Sequence, residues 1–195
     1  MNAIIRPARK DESMRIAELD SIASGGVVDF LYEGLVPGKR PVEVLGEFLS
    51  SEKGHYNYTN AAVADIDGSV AGAAISYPSH YQGIDEAMRG FFPHDRLDHL
   101  QGFFESSVPH SLYIDALAVH EAFRKQGLAG MLIDGAADRA RSLGLSSVSL
   151  IVLADNAPAR ALYAKKGFVH AGDVPLEYHE KLPHRGGAFL LKRPL

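Results

Sequence analysis

The stretch from Leu112 to Phe168 constrains this chain more than any other part of it. Leu112 to Val119 is nearly all apolar except Asp115, the pattern of a central strand buried on both faces. A polar loop follows, Arg124-Lys125-Gln126-Gly127. Leu128 to Leu143 then places Leu128, Met131, Leu132, Ala136, Ala140 and Leu143 at helical spacing, and Gly144 ends the helix. Ser147 to Leu153 reads as a second strand. Asn156 to Lys166 reads as a second helix, with Asn156 as cap, Pro158 early and Gly167 after the end.

The loop before Gly127 has chemistry in it. A helix start binds anions through free N–H groups and the helix dipole. Gly127 lets the backbone come close to a ligand, and the small Ala129 leaves room beside it. Arg124 and Lys125 add positive charge. The loop is not a Walker loop, because G-x-x-x-x-G-K-S/T is absent, and no G-x-G-x-x-G occurs.

Upstream, Ile4 to Pro7 reads as a short strand stopped by proline. Asp11 to Ile22 reads as a helix, capped by Asp11 or Ser13, with Met14, Ala17, Leu19 and Ile22 as its apolar positions. Gly25-Gly26 breaks it, Asp29 to Leu35 forms a further helical turn, and Pro41 to Leu49 is a second clear helix. Ala61 to Ile66 and Val70 to Tyr77 form a hairpin around Asp67-Gly68. The run Ala71-Gly72-Ala73-Ala74 lets another backbone or a ligand approach closely. Pro78 to His110 is too long for a plain connection and holds helices around Ile84–Phe91 and Asp95–Phe104. Its aromatic residues suit a substrate lid, plain core or a contact between copies. Phe168 to Val174 and Ala188 to Arg193 close the order as two strands. The whole is mixed α/β.

Composition narrows the function. The chain has 195 residues, the size of one domain. Zero cysteine removes disulfides, thiolate nucleophiles and Cys-based metal sites. With 20 Lys+Arg against 24 Asp+Glu, the net charge of -4 opposes nucleic acid as a main partner. No stretch approaches a membrane span. Met1 to Pro7 lacks a basic region followed by a long apolar core, so no signal peptide and a cytoplasmic location are expected. The histidines show no H-E-x-x-H, and no metal site is expected.

Three stretches together resemble the GNAT (acyl-CoA N-acyltransferase) superfamily. Arg124-Lys125-Gln126-Gly127-Leu128-Ala129 resembles its Q/R-x-x-G-x-G/A signature, and Leu117-Ala118-Val119-His120 resembles the strand end before it. Asn156 to Phe168 resembles the following N…A-x-x-L-Y-x-x-x-G-F motif. The resemblance implies a central, mostly antiparallel twisted sheet flanked by helices, with splayed fourth and fifth strands. It implies a single domain over residues 1–195 with an insert at about 78–110, and a possible homodimer. Acetyl-CoA would be the co-substrate. Its pyrophosphate would rest on the N–H groups of Arg124, Lys125, Gln126, Gly127, Leu128 and Ala129. Its pantetheine arm would follow the strand end at Leu117, Ala118 and Val119 and bond to Asn156. Tyr163 would sit near the thioester sulfur.

The implied reaction is acetyl transfer to a primary amine of a small molecule or peptide by direct attack. Tyr163 suits the general acid that protonates the leaving thiolate, and a backbone N–H near Val119 suits the oxyanion. Asp115 and Tyr113 share a strand face. Relatives that act on arylalkylamines carry histidines at these two places, so a histidine relay does not carry over. Asp115 is placed to accept the proton, directly or through water, or to hold a cationic amine; the second role is favoured. Glu33 is a further candidate for the amine. The competing reading is a non-catalytic acyl-CoA-binding or sensing domain.

Overall fold

The computed structural model describes residues 3–195. Strand β1 (Ala3–Pro7) leads into helix α1 (Ser13–Ala23). Neither Asp11 nor Ser13 caps α1. A 3-10 turn over Lys10–Glu12 precedes it, and the Glu12 carboxylate is drawn instead to Arg6, at 2.6 Å. The buried face of α1 is Ile16, Ala17, Leu19 and Asp20, whereas Met14 and Ile22 are exposed. The apolar stripe is therefore rotated from the sequence expectation, and it carries an acid inward.

Gly26, with φ +97°, opens helix α2 (Val27–Tyr32), so a helix of 6 residues stands earlier in the chain than the turn expected at Asp29–Leu35. Helix α3 (Pro41–Ser50) begins at proline, and the Glu43 carboxylate accepts from the Arg40 N–H at 2.7 Å. Strands β2 (Ala61–Ile66) and β3 (Ser69–Pro78) pair through Asp67 and Gly68, both at positive φ. The segment before the next strand holds helices α4 (Glu86–Phe91), α5 (His94–His99) and α6 (Gln101–Glu105); the second expected helix is split at Leu100. Strand β4 (Ser111–Val119), helix α7 (Leu128–Ser142), strand β5 (Ser147–Leu153) and helix α8 (Ala157–Lys165) follow as expected. Strands β6 (Val169–Val174) and β7 (Ala188–Pro194) end the chain.

The seven strands form one sheet in the order β1-β2-β3-β4-β5-β7-β6. Only β4 and β5 run parallel. Helices α1 to α3 and the 79–110 segment cover one face, burying Leu19, Leu45, Leu49, Ile75, Leu97 and Leu100. On the other face α7 and α8 bury Ile133, Ala140 and Tyr163 against Leu112, Ile114 and Leu150. A Cβ on Gly72 would lie 2.8 Å from the Ala118 carbonyl oxygen, so the small-residue run of β3 is what lets β4 close onto it.

Candidate active site

Strands β4 and β5 are hydrogen-bonded only from Ser111 to Ile114, against Ser147 to Leu150. Beyond Ile114 they part. The cause lies on the other edge of β4. There Ile75 pairs with Ala116 and Ser76 with Ile114, so Asp115 is an extra residue without a partner. Such a bulge bends its strand and sharpens the twist. It also inverts the alternation: Tyr113 before it and Ala116 and Ala118 after it all face the α1–α3 layer. Tyr113 and Asp115 do line one cavity, through a bulge rather than through regular alternation.

Past the bulge, the His120 N–H bonds to the Ala71 carbonyl at 2.9 Å. Alternation then turns the backbone groups of Leu117 and Val119 the other way, into the gap left by β5. Arg124 reaches back across this end, its Nε donating to the Val119 carbonyl at 3.2 Å.

The loop into α7 twists twice through the left-handed region, at Lys125 (φ +63°) and Gly127 (φ +85°). Turns of that kind make concavities of N–H groups. The first bond of α7 runs from the Met131 N–H to the Gly127 carbonyl at 3.1 Å, so Leu128, Ala129 and Gly130 have N–H groups without helical acceptors. Nothing lies within 4 Å of where a Gly127 Cβ would be, so the loop faces open space. These features fit a pyrophosphate. At the end of β5, Asn156 caps α8, its Oδ1 accepting from the Ala159 N–H at 3.2 Å; the cap leaves the Nδ2 donors unused.

The gap opens into a cavity of about 860 Å³. Leu117, Ala118, Val119, Arg124, Lys125, Ala129, Asn156 and Tyr163 line it, and so do Asp115 and Tyr113. Gln126 and Gly127 are exposed, while Leu128, the first residue of α7, is buried against β2 and β3. Tyr163 is buried, and loss of solvation pushes its hydroxyl up to about 12, so it stays protonated at neutral pH. Asp115 is exposed to the cavity, and the protein enclosing that cavity limits the water around its carboxylate. This partial loss of solvation raises it to about 6, against a hydrogen bond from the Tyr77 hydroxyl that opposes the rise.

A second acid stands here that the sequence reading missed. Asp20 on α1 lines the same cavity, is 5% exposed and accepts a hydrogen bond from the Tyr56 hydroxyl. Burial raises it to about 7, and the nearby Asp115 charge adds to the rise. The signal was present in the sequence: Ile16, Leu19, Asp20 and Ala23 follow helical spacing and put a charge on the apolar stripe. Tyr32, Tyr56 and Tyr77 also line the cavity. Glu33 does not; it is exposed and pairs with Lys181. Among the described residues, no cluster of His, Asp and Glu is arranged to hold a metal ion.

A splayed parallel strand pair beside an N–H cradle leaves a cleft with room for an extended ligand that carries a phosphorylated end. The sequence profile of the acetyltransferase (GNAT) family matches residues 37–168, and the chain belongs to that family. The fold is shared with a crystallised acetyltransferase at 25% identity, over 98% of each chain, with a TM-score of 0.71. It is also shared with an N-acetyltransferase from Staphylococcus aureus Mu50, at 22% identity over 97% of this chain and 99% of the other, TM-score 0.69. The paia N-acetyltransferase from Thermoplasma acidophilum, solved in complex with coenzyme A, matches at 13% identity over all of both chains, TM-score 0.60. No curated protein matches the sequence. Among the described residues, no helix is long and apolar enough to cross a membrane.

Proposed function

We propose that this protein transfers an acetyl group from acetyl-CoA to a primary amine. The observation that carries this reading is a single cavity that joins the N–H cradle, the unpaired edge of β4, the Tyr163 hydroxyl and the Asp115 carboxylate. In this reading residues 1–195 act as one unit, with the 78–110 segment as an insert.

The cradle holds the pyrophosphate through the backbone N–H groups of Lys125 to Ala129 and the positive end of α7, whereas the Arg124 N–H is given to the Glu121 carbonyl at 3.2 Å and Arg124 contributes its charge. Leu117 and Val119 offer their outward N–H and C=O groups to the pantetheine arm, and Asn156 offers Nδ2. Asp115 holds the incoming ammonium. With its carboxyl near 6, Asp115 is ionised at neutral pH and close enough to the working pH to take one ammonium proton. The freed amine attacks the thioester carbonyl and a C–N bond forms. A Val119-region N–H stabilises the oxyanion. The C–S bond then breaks as Tyr163 gives its proton to the sulfur. The nitrogen loses its second proton as the amide forms, and that proton restores Tyr163. One proton in all leaves to solvent, through Asp115.

Tyr113 is buried, and that burial, with smaller contributions from Asp115 and Tyr163, raises its hydroxyl well above its ordinary value and keeps it neutral. The experiment is thiol release from acetyl-CoA in the presence of primary amines. Release that depends on the amine supports the reading; tight acetyl-CoA binding without release from any amine points to an acyl-CoA sensor instead.

A further inference from the structure

The cavity continues past Asp115 into a chamber whose occupant follows from its walls. One wall comes from the 79–110 segment, which contributes Tyr81, Met88, Phe91, Phe92, Phe103 and Phe104. Helices α2 and α3 continue that wall. Phe91 packs edge-on against Phe48 with ring centroids 4.8 Å apart, and Phe92 against Tyr32 at 5.0 Å. Asp20 on α1 and Asp115 on β4 both line the cavity, and the Asp115 charge is felt at Asp20. Tyr56 donates to one and Tyr77 to the other, and no cationic side chain pairs with either among the described residues. A third acceptor is idle: Gln82 gives its Nε2 to the Ser106 carbonyl at 3.1 Å, and its buried Oε1 has no donor among the described residues.

We propose that the acceptor is a primary amine with one cationic head and an apolar body, its ammonium held by Asp20 and Asp115 and its body seated on the aromatic wall of residues 81–104. The assignment rests on the acetyl-transfer reading above. An ammonium has three donors and no acceptor, which matches a chamber end made of acceptors. A second ammonium further along the molecule would meet aromatic carbon. The remaining carboxylate, Asp85, is exposed at the rim and already accepts from the Met88 N–H at 2.8 Å. A zwitterionic amino acid would need a cation for its carboxylate. Arg124 and Lys125 belong to the cradle, Lys53 is exposed, and burial holds the His55 imidazole beside Tyr77 below its ordinary value and so toward its neutral form, so the chamber supplies no standing cation. Asp20 is thus a substrate-binding residue, and the insert sets specificity.

The test measures amine binding by calorimetry on the acetyl-CoA analogue complex, and thiol release on the active enzyme. The probes are ethylamine, butylamine, hexylamine, 4-phenylbutylamine, 1,4-diaminobutane, ethanolamine and phenylalanine. Affinity and kcat/KM are expected to rise about fourfold per added methylene, with 1,4-diaminobutane below butylamine and phenylalanine weakest for its size. Asp20→Asn keeps the shape and is expected to weaken 4-phenylbutylamine about tenfold or more, while 4-phenylbutanol competes as before. Tyr81→Ala, at an exposed position that cannot unfold the core, is expected to reduce the gain per methylene. Thiol release with the diamine or ethanolamine equal to or better than butylamine overturns the assignment, and so does failure of every amine to bind. Binding in the expected order without thiol release leaves this assignment standing and overturns the acetyl-transfer reading.

Discussion

The Tyr77 hydroxyl donates a hydrogen bond to the Asp115 carboxylate across the point where the β3–β4 ladder slips by one residue. The contact links the fold to the chemistry. The slip ejects Asp115 from the ladder, and the same slip bends β4 away from β5. One irregularity therefore makes both the gap for the cofactor arm and the acid that faces it. Tyr77 fixes the direction of that acid. Burial would otherwise favour its neutral form, and the hydroxyl partly offsets the cost of the charge.

A pH profile follows. Asp115 near 6 and Asp20 near 7 must both be ionised to hold an ammonium, so kcat/KM is expected to climb with pH through the window from 6 to 7. Asp20→Asn is expected to remove the upper part of that climb. Thiol-release rates measured from about pH 5 to pH 9 check this. A flat profile in the native protein would rule out the carboxylates as the controlling groups.

The same acids oppose stability. A carboxyl whose folded pKa is raised favours folding most below its unfolded pKa, and that contribution is lost as pH rises through the folded value. For Asp20 the loss runs from about pH 4 up to about 7. Asp20→Asn is therefore expected to stabilise the protein at pH 8 by on the order of 2 to 4 kcal/mol and to be near neutral at pH 4. Urea unfolding at both pH values measures the difference. A variant that gains stability while losing amine affinity has exchanged function for fold.

Tyr163→Phe removes one oxygen from a buried ring that packs on Phe168 at 5.6 Å. The ring contact survives, so stability and acetyl-CoA affinity are expected to hold. Turnover is expected to fall about 100-fold or more, the usual weight of a general acid. Single-turnover kinetics separate that loss from product release; an unchanged chemical step would remove Tyr163 from the acid role.

Helix α7 supplies its own control for the cradle. Gly127 at its start (φ +85°) and Gly144 just past its end (φ +70°) both sit in the left-handed region, with nothing within 4 Å of an added Cβ. Alanine at either position is expected to cost about 1 to 2 kcal/mol of backbone strain. Only Gly127→Ala is expected to weaken acetyl-CoA as well, because only there do the turned N–H groups face the cofactor. Equal acetyl-CoA affinity in the two variants would disprove the cradle.

The chain from Leu112 to Phe168 was legible because its signals are local. Strand, loop, helix and cap are set by neighbours a few residues apart, and the N–H cradle is a property of one helix start. Asp20 was half legible. Its place on a buried helical stripe is written in the spacing of Ile16, Leu19 and Ala23, but Met14 and Ile22 offered a rival stripe of equal period. Packing against β4 and α3 chose between the two.

Sequence by itself thus determined the succession of strands, the two helices that follow β4 and β5, and the glycine-bearing polar loop between β4 and α7. Tertiary structure alone decided three things: the bulge at Asp115, the insertion of β7 between β5 and β6, and the meeting of α1 with β4 that puts Asp20 beside Asp115. Each depends on groups far apart in the chain. A bulge is a mismatch between two strands, and a shared field between two acids exists only once their separate elements are packed into the same poorly solvated space.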